Sequence, residues 1–226
     1  MKTISRLISS CLAGLAVITL AACTSTMPAQ TEQATSVVQG SESITFAQNQ
    51  AALATISGLD LKGQVGIITA KERSSTTFSY QDYASGDYIV TLNIPYTTKV
   101  ATVRKNGDYY YYKEGDTTYT SSQQDEFAQA LFGFIVPLDL MHKIILAQNV
   151  EPVTLNGVAN PHVTVVGNIL TAQVVNGDTY VSYGDFKLLE NKFLVPQSIS
   201  ITRAKDTIRI RMLSPYTYFV DGKVVK

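Results

Sequence analysis

Leu20-Ala21-Ala22-Cys23 sets a thiol directly behind an apolar run and two small residues, and the chemistry this invites is acylation. Lys2 and Arg6 make a basic start, Leu12 to Leu20 a short apolar stretch, and Ala21-Ala22 the small side chains a signal peptidase needs before its acceptor. The pattern predicts that residues 1–22 are a signal peptide and that the mature chain begins with a lipid-modified Cys23. A membrane-spanning helix is the rival reading. It fails on length, because a bilayer core asks for roughly 20 consecutive apolar residues. Cys11 precedes the apolar run instead of following it, and so leaves with the signal. Thr24 stands where bacterial inner-membrane retention usually shows aspartate, which favours an outer-membrane address.

Beyond that cysteine the chain is poor in reactive groups. His142 and His162 are the two histidines, too few for a multi-histidine metal site and a thin basis for a triad. Both are expected at a surface or an interface. There is no G-x-S-x-G elbow, P-loop or H-E-x-x-H, and no thiol other than Cys23 survives cleavage. Asp60, Asp82, Asp87, Asp108, Asp116, Asp178 and Asp185 fall mostly at strand ends and turns, where aspartate serves local hydrogen bonding. The expectation is a protein that is no enzyme, with no catalytic residue, no metal and no cofactor apart from the covalent lipid on Cys23. The 18 basic and 18 acidic residues balance, and no basic block occurs, so nucleic-acid binding has no electrostatic support.

The elements that must position anything else follow from hydrophobic periodicity. Residues 23–42 are the lipidated cysteine and a tether rich in Ser, Thr, Gln, Pro and Ala. A folded domain over 43–226 follows. Ser43 to Ile56 carries apolar residues at helical spacing, with Gly58 where a helix stops. From Leu59 the period becomes two: Leu59, Leu61, Gly63, Val65 and Ile67, then Thr76, Phe78 and Tyr80, then Tyr88, Val90, Leu92 and Ile94. Asn106-Gly107, Asn176-Gly177 and Lys205-Asp206 predict three hairpins. Ser121 with Gln124, or Ser122 with Asp125, can cap a helix through Leu131 that ends at Gly133, and Pro137 opens another through about Ala147.

The fold class is therefore mainly β, of the α+β kind: a strongly curved antiparallel sheet with about three helices covering its concave apolar face. Incomplete cover would leave an apolar cavity. Tyr80, Tyr83, Tyr88, Tyr109 to Tyr112 and Tyr183 are available to line it, or serve as ordinary strand packing.

Several local patterns, in their order, resemble the LolB family of outer-membrane lipoprotein receptors from about Ile56 to Tyr216. Leu61-Lys62-Gly63-Gln64-Val65 is similar to the basic-Gly start of its first strand, and Phe78-Ser79-Tyr80-Gln81 with Asp87-Tyr88 to its aromatic second strand and turn. Asn93-Ile94-Pro95-Tyr96 resembles the loop after the third strand. Phe127 to Pro137 resembles the family's helix with its Leu-Gly and Leu-Pro segment, and Val181-Ser182-Tyr183 with Leu194-Val195-Pro196 its late strand pair. The departures are specific. No tryptophan is present, Tyr80 and Ile144 occupy positions where the family carries it, Pro-Leu-Gly reads Pro95-Tyr96-Thr97, and the Gly-x-Pro after the third helix reads Ala147-Gln148-Asn149.

The resemblance implies an open half-barrel acting as an outer-membrane-anchored, periplasm-facing receptor in a Gram-negative bacterium. It would take client lipoproteins from a LolA-like periplasmic carrier into a hydrophobic cavity and insert them into outer-membrane lipid, working as a monomer. Together with the spacing, it implies an acyl-chain cavity lined by Val65, Phe78, Tyr80, Val90, Leu92, Leu131, Met141 and Ile144, and a membrane-facing loop at Pro95 and Tyr96. The competing expectation is an envelope lipoprotein of similar cavity that binds another lipid or lipophile.

Overall fold

Strict alternation of apolar and polar residues can bury only one side of a strand, and here a long run of such strands curls around the side it buries. The computed structural model describes residues 38–83, 85–94, 97–213 and 217–225. Cys23, Pro95 and Tyr96 lie outside the described residues.

Helix α1 (Phe46–Leu53) is followed by the strands β1 (Ile56–Ile68), β2 (Arg73–Asp82), β3 (Tyr88–Asn93), β4 (Val100–Asn106), β5 (Tyr109–Glu114) and β6 (Thr117–Ser121). Helix α2 (Gln124–Phe132), a 3-10 turn (Leu138–Leu140) and helix α3 (Met141–Ile145) interrupt the sheet. A small hairpin of β7 (Thr154–Leu155) and β8 (Val158–Ala159) leads to β9 (Val163–Val166), β10 (Ile169–Val175) and β11 (Thr179–Gly184). A second hairpin joins β12 (Lys187–Leu189) to β13 (Phe193–Val195). Then come β14 (Ser198–Arg203), β15 (Asp206–Met212), β16 (Thr217–Val220) and β17 (Lys223–Val225).

Thirteen strands form one antiparallel sheet in the order β6-β5-β4-β3-β2-β1-β15-β14-β11-β10-β9, with β16 on β1 and β17 on β16. Strands β6 and β9 do not meet, so the sheet is an open half-barrel. The 13 residues of β1 hold it together. Its first part pairs with β16, its second half with β15, and β2 runs along the other edge from Asp60 to Ile68. Gly63 makes this crowding possible. A Cβ there would sit 2.7 Å from the Phe78 ring and against the Arg211 carbonyl, so only a bare backbone lets Phe78 lie across β1.

The elements differ from the sequence reading in identifiable ways. Helix α1 is shorter than Ser43 to Ile56, because Thr45 and Gln48 form a capping box at its start and Ile56 already belongs to β1. Neither expected capping box opens α2: the Ser121 hydroxyl instead accepts from the Gln123 backbone N–H at 3.0 Å. Gly133 does end α2, in the left-handed conformation at φ 82°. The first expected hairpin turn shifts by one residue. Asn106 pairs with Tyr109, so Gly107 and Asp108 form the loop, with the positive φ on Gly107. Two hairpins that the sequence reading passed over carry plain turn signals: Asn156-Gly157 joins β7 to β8 and Asp221-Gly222 joins β16 to β17, each with positive φ at both residues.

Candidate functional site

The registers assign every strand residue to one side of the sheet. Across the inner side, Gly63, Phe78, Leu92 and Ala101 stand in one row, and Leu61, Tyr80, Val90, Val103, Tyr112 and Tyr119 in the next. Beyond β1 the rows continue through β15, β14 and β11 as Val65, Ile210, Ile199 and Tyr183. The inner side is thus apolar from β4 to β11.

Helices cover this side unevenly. Phe127 of α2 is fully buried against Tyr110 and Tyr119, with ring centroids 5.5 and 5.7 Å away. Ile144 and Ile145 of α3 are buried as completely. Val65, Ile67, Val90 and Leu92 of the sheet and Leu131, Phe132, Leu140 and Met141 of the helical segment pack against this core but stay only half-buried. Apolar surface therefore persists on the inner side, where the helices do not reach.

The expected cavity residues divide accordingly. Val65, Val90, Leu92, Leu131 and Met141 belong to the half-buried set, which Ile67, Phe132 and Leu140 extend. Phe78 and Tyr80 are buried and Ile144 is wholly enclosed, so these three brace the wall. Ile67 continues the alternation of β1, and that alternation could have found it. Phe132 and Leu140 sit at helix ends, where periodicity carries no signal.

One end of the inner side is polar. Asp82 closes β2 and is nearly fully buried. It accepts from the Leu59 N–H at 2.6 Å, from the Tyr80 hydroxyl at 2.9 Å and from His142 Nδ1 at 2.7 Å. The other ring nitrogen, Nε2, lies 3.2 Å from the Ile56 carbonyl. Both neighbours of the imidazole are acceptors, so both bonds form only when both ring nitrogens carry protons. Asp82 thus does more than the local turn bonding expected of it, and His142 fastens α3 to β1 and β2. Burial, and then the Asp82 charge, push the Tyr80 hydroxyl well above its ordinary pKa, which keeps it a donor. In the same row Tyr110 donates to Asp139 at 2.5 Å, and Lys105 pairs with that carboxylate at 2.6 Å. The buried Tyr88 hydroxyl has no partner among the described residues.

Glutamine side chains tie the chain after α3 to α1 and β10. Gln50 donates to the Ala147 carbonyl at 3.0 Å and accepts from the Asn149 N–H at 2.9 Å. Gln148 donates to the Leu53 carbonyl at 2.7 Å, and Gln173 accepts from the Val150 N–H at 2.8 Å. Asn49 pins α1 to β13 by bonding both the N–H and the carbonyl of Leu194. α1, the chain after α3, β10 and β13 are thereby one hydrogen-bonded unit. Among the described residues no group of three or more His, Cys, Asp or Glu could hold a metal ion, and no helix is long and apolar enough to cross a membrane.

A sequence model of the family described as "Outer membrane lipoprotein LolB" matches residues 57–214. The chain belongs to the LolB family. The matched span runs from β1 through β15, so it contains the apolar inner side, α2 and α3 and leaves α1 outside. Membership supports lipoprotein binding and sorting in the bacterial envelope as the function class of this LolB-family chain. No curated protein matches it.

Among solved structures, the chain is similar to a putative outer-membrane lipoprotein-sorting protein domain from Vibrio parahaemolyticus. That match has 9% identity and a TM-score of 0.45, and covers 78% of this chain and 93% of the other. A LolA superfamily protein from Nitrosomonas europaea matches at 9% identity and TM-score 0.40, over 75% of this chain and 92% of its own. A DUF1329 family protein from Desulfovibrio piger matches at 9% identity and TM-score 0.49, over 78% and 91%.

Proposed function

We propose that this LolB-family protein is the outer-membrane receptor for lipoproteins: it takes their acyl chains from a LolA-like periplasmic carrier and releases them into the outer membrane. The observation that carries the reading is the half-covered apolar inner side formed by Val65, Val90, Leu92, Leu131 and Met141. Acyl chains cannot cross water unshielded, and moving them between apolar sites needs neither hydrolysis nor nucleotide, only a gradient of affinity. Binding, not catalysis, is then the whole task. Acylated Cys23 would hold the protein on the membrane, since two or three acyl chains at roughly 0.8 kcal/mol per buried methylene anchor stably. Pro95 and Tyr96, between β3 and β4, would present a side chain with an apolar ring and polar tip to the lipid interface.

Mixing a carrier loaded with a labelled lipoprotein with this protein, and then adding liposomes, tests the reading. The label should pass first to this protein and then to the vesicles. A correctly folded protein that never takes the label would overturn it, and a different amphiphile retained in native mass spectrometry would make this a binder of another lipid.

A further inference from the structure

The outer side of the sheet has a charge layout that the balanced composition hides. Outward positions, fixed by the same registers, carry Lys62 on β1, Arg73 on β2, Arg104 on β4, Lys113 on β5, and Arg209 and Arg211 on β15. Asp60 is the one carboxylate at an outward position of strands β1 to β6, β11, β14 and β15, and the Gln81 amide donates to it at 3.0 Å. Among the described residues the remaining carboxylates lie in loops, turns, helices or on the inner side. Between the cations stand mostly small hydroxyl residues, among them Ser75, Thr77, Ser79 and Thr202. Lys62, Arg209 and Arg211 form the centre. Gln64 pairs with Arg211, Gly66 with Arg209 and Ser200 with Arg209, and none of the three cations has an ion-pair partner among the described residues. Arg209 Nε is also buried without a hydrogen-bond partner among them.

From this layout we propose that the outer side of the sheet docks on an anionic phospholipid membrane. Charge complementarity selects the occupant: a broad band of cations on an outer sheet face fits a field of lipid phosphates. The choice of a membrane rests on the chain's membership of a family of outer-membrane lipoproteins. It is independent of lipoprotein transfer, so vesicle binding and client uptake can fail separately. Docked this way, the sheet turns its apolar inner side away from the bilayer, toward an arriving carrier.

The test uses the processed chain from residue 23 with Cys23→Ala, so that no acyl chain holds it, in flotation with vesicles of phosphatidylethanolamine and 30% phosphatidylglycerol. It should float with these and not with pure phosphatidylcholine, and 1 M salt, where the Debye length is about 3 Å, should release it. Each cation near such a surface contributes about fivefold, so K62Q/R209Q/R211Q should bind about a hundredfold more weakly, while R209K/R211K should bind as the parent does. Circular dichroism of the variants accompanies the assay, and if the glutamine variant does not fold, the salt dependence of the parent decides. Salt-insensitive binding, equal binding to phosphatidylcholine, or unchanged binding by the folded glutamine variant would overturn the proposal. So would retention on an acidic polypeptide without any vesicle binding.

Discussion

The His142 imidazole and the Asp82 carboxylate meet at 2.7 Å, one from the helical cover and the other from the end of β2. Because His142 also reaches the Ile56 carbonyl, a single side chain fixes α3 over the point where β1 and β2 begin to run together. The His142–Asp82 link sits at the polar end of the inner side, and the apolar surface begins two residues up β2, beyond Tyr80.

Removing His142 should therefore loosen the cover before it harms the sheet. Asp82 would keep its bonds from Leu59 and Tyr80, so His142→Ala should cost about 3 kcal/mol in urea unfolding, the low end for breaking a buried pair. Amides of Met141 to Leu146 should exchange faster than those of β1 and β2. Uniform acceleration across the sheet would show that the link is not local to the cover.

Ile144 and Leu92 should respond differently to substitution. Ile144 is wholly enclosed, so Ile144→Ala should cost about 2–5 kcal/mol and change client uptake only through unfolding. Leu92 is half-buried, and Leu92→Asn should cost about 1 kcal/mol or less while reducing retention of an acylated client several-fold. Chemical denaturation read beside a client-binding assay separates the two. Equal retention by the folded Leu92→Asn variant would take this residue out of the binding surface.

Gly63→Ala should destabilise by about 1–3 kcal/mol or more, because the added methyl meets both the Phe78 ring and the backbone of β15. A double variant with Phe78→Leu should recover part of that loss in thermal unfolding, since the smaller side chain clears the space. No recovery would place the conflict at the Arg211 carbonyl alone.

Ala147 takes a left-handed conformation at φ 52°, at the position where the family's pattern has glycine. Left-handed backbone costs an alanine roughly 1–2 kcal/mol, partly offset by the extra freedom glycine has when unfolded. Ala147→Gly should thus raise stability by up to about 1 kcal/mol. A lower melting temperature would mean that the methyl, which is buried, contributes more through packing than it costs in strain.

Tyr96→Glu should leave uptake from the carrier intact and impair release into liposomes, because a carboxylate disfavours the lipid interface. Tyr96→Leu should release at least as well as the parent. Identical delivery by both folded variants would return Tyr96 to an ordinary turn residue.

What the sequence determined by itself was the periodic part of the protein. Alternation assigned the inner residues of β1, β2 and β3, because a half-buried strand repeats every two residues, and Asn176-Gly177 marked its turn with the positive φ values that only such residues adopt cheaply. The order of short motifs pointed to the family. The tertiary structure alone decided what depends on long-range meeting. His142 and Asp82 lie 60 residues apart, so neither one's neighbours in the chain could announce their pair. Whether an inner apolar residue stays half-buried, as Leu92 does, or is sealed, as Ile144 is, depends on where α2 and α3 stop short of the sheet. Local pattern encodes which side of an element is apolar; how much of that side its neighbours cover is a property of their packing.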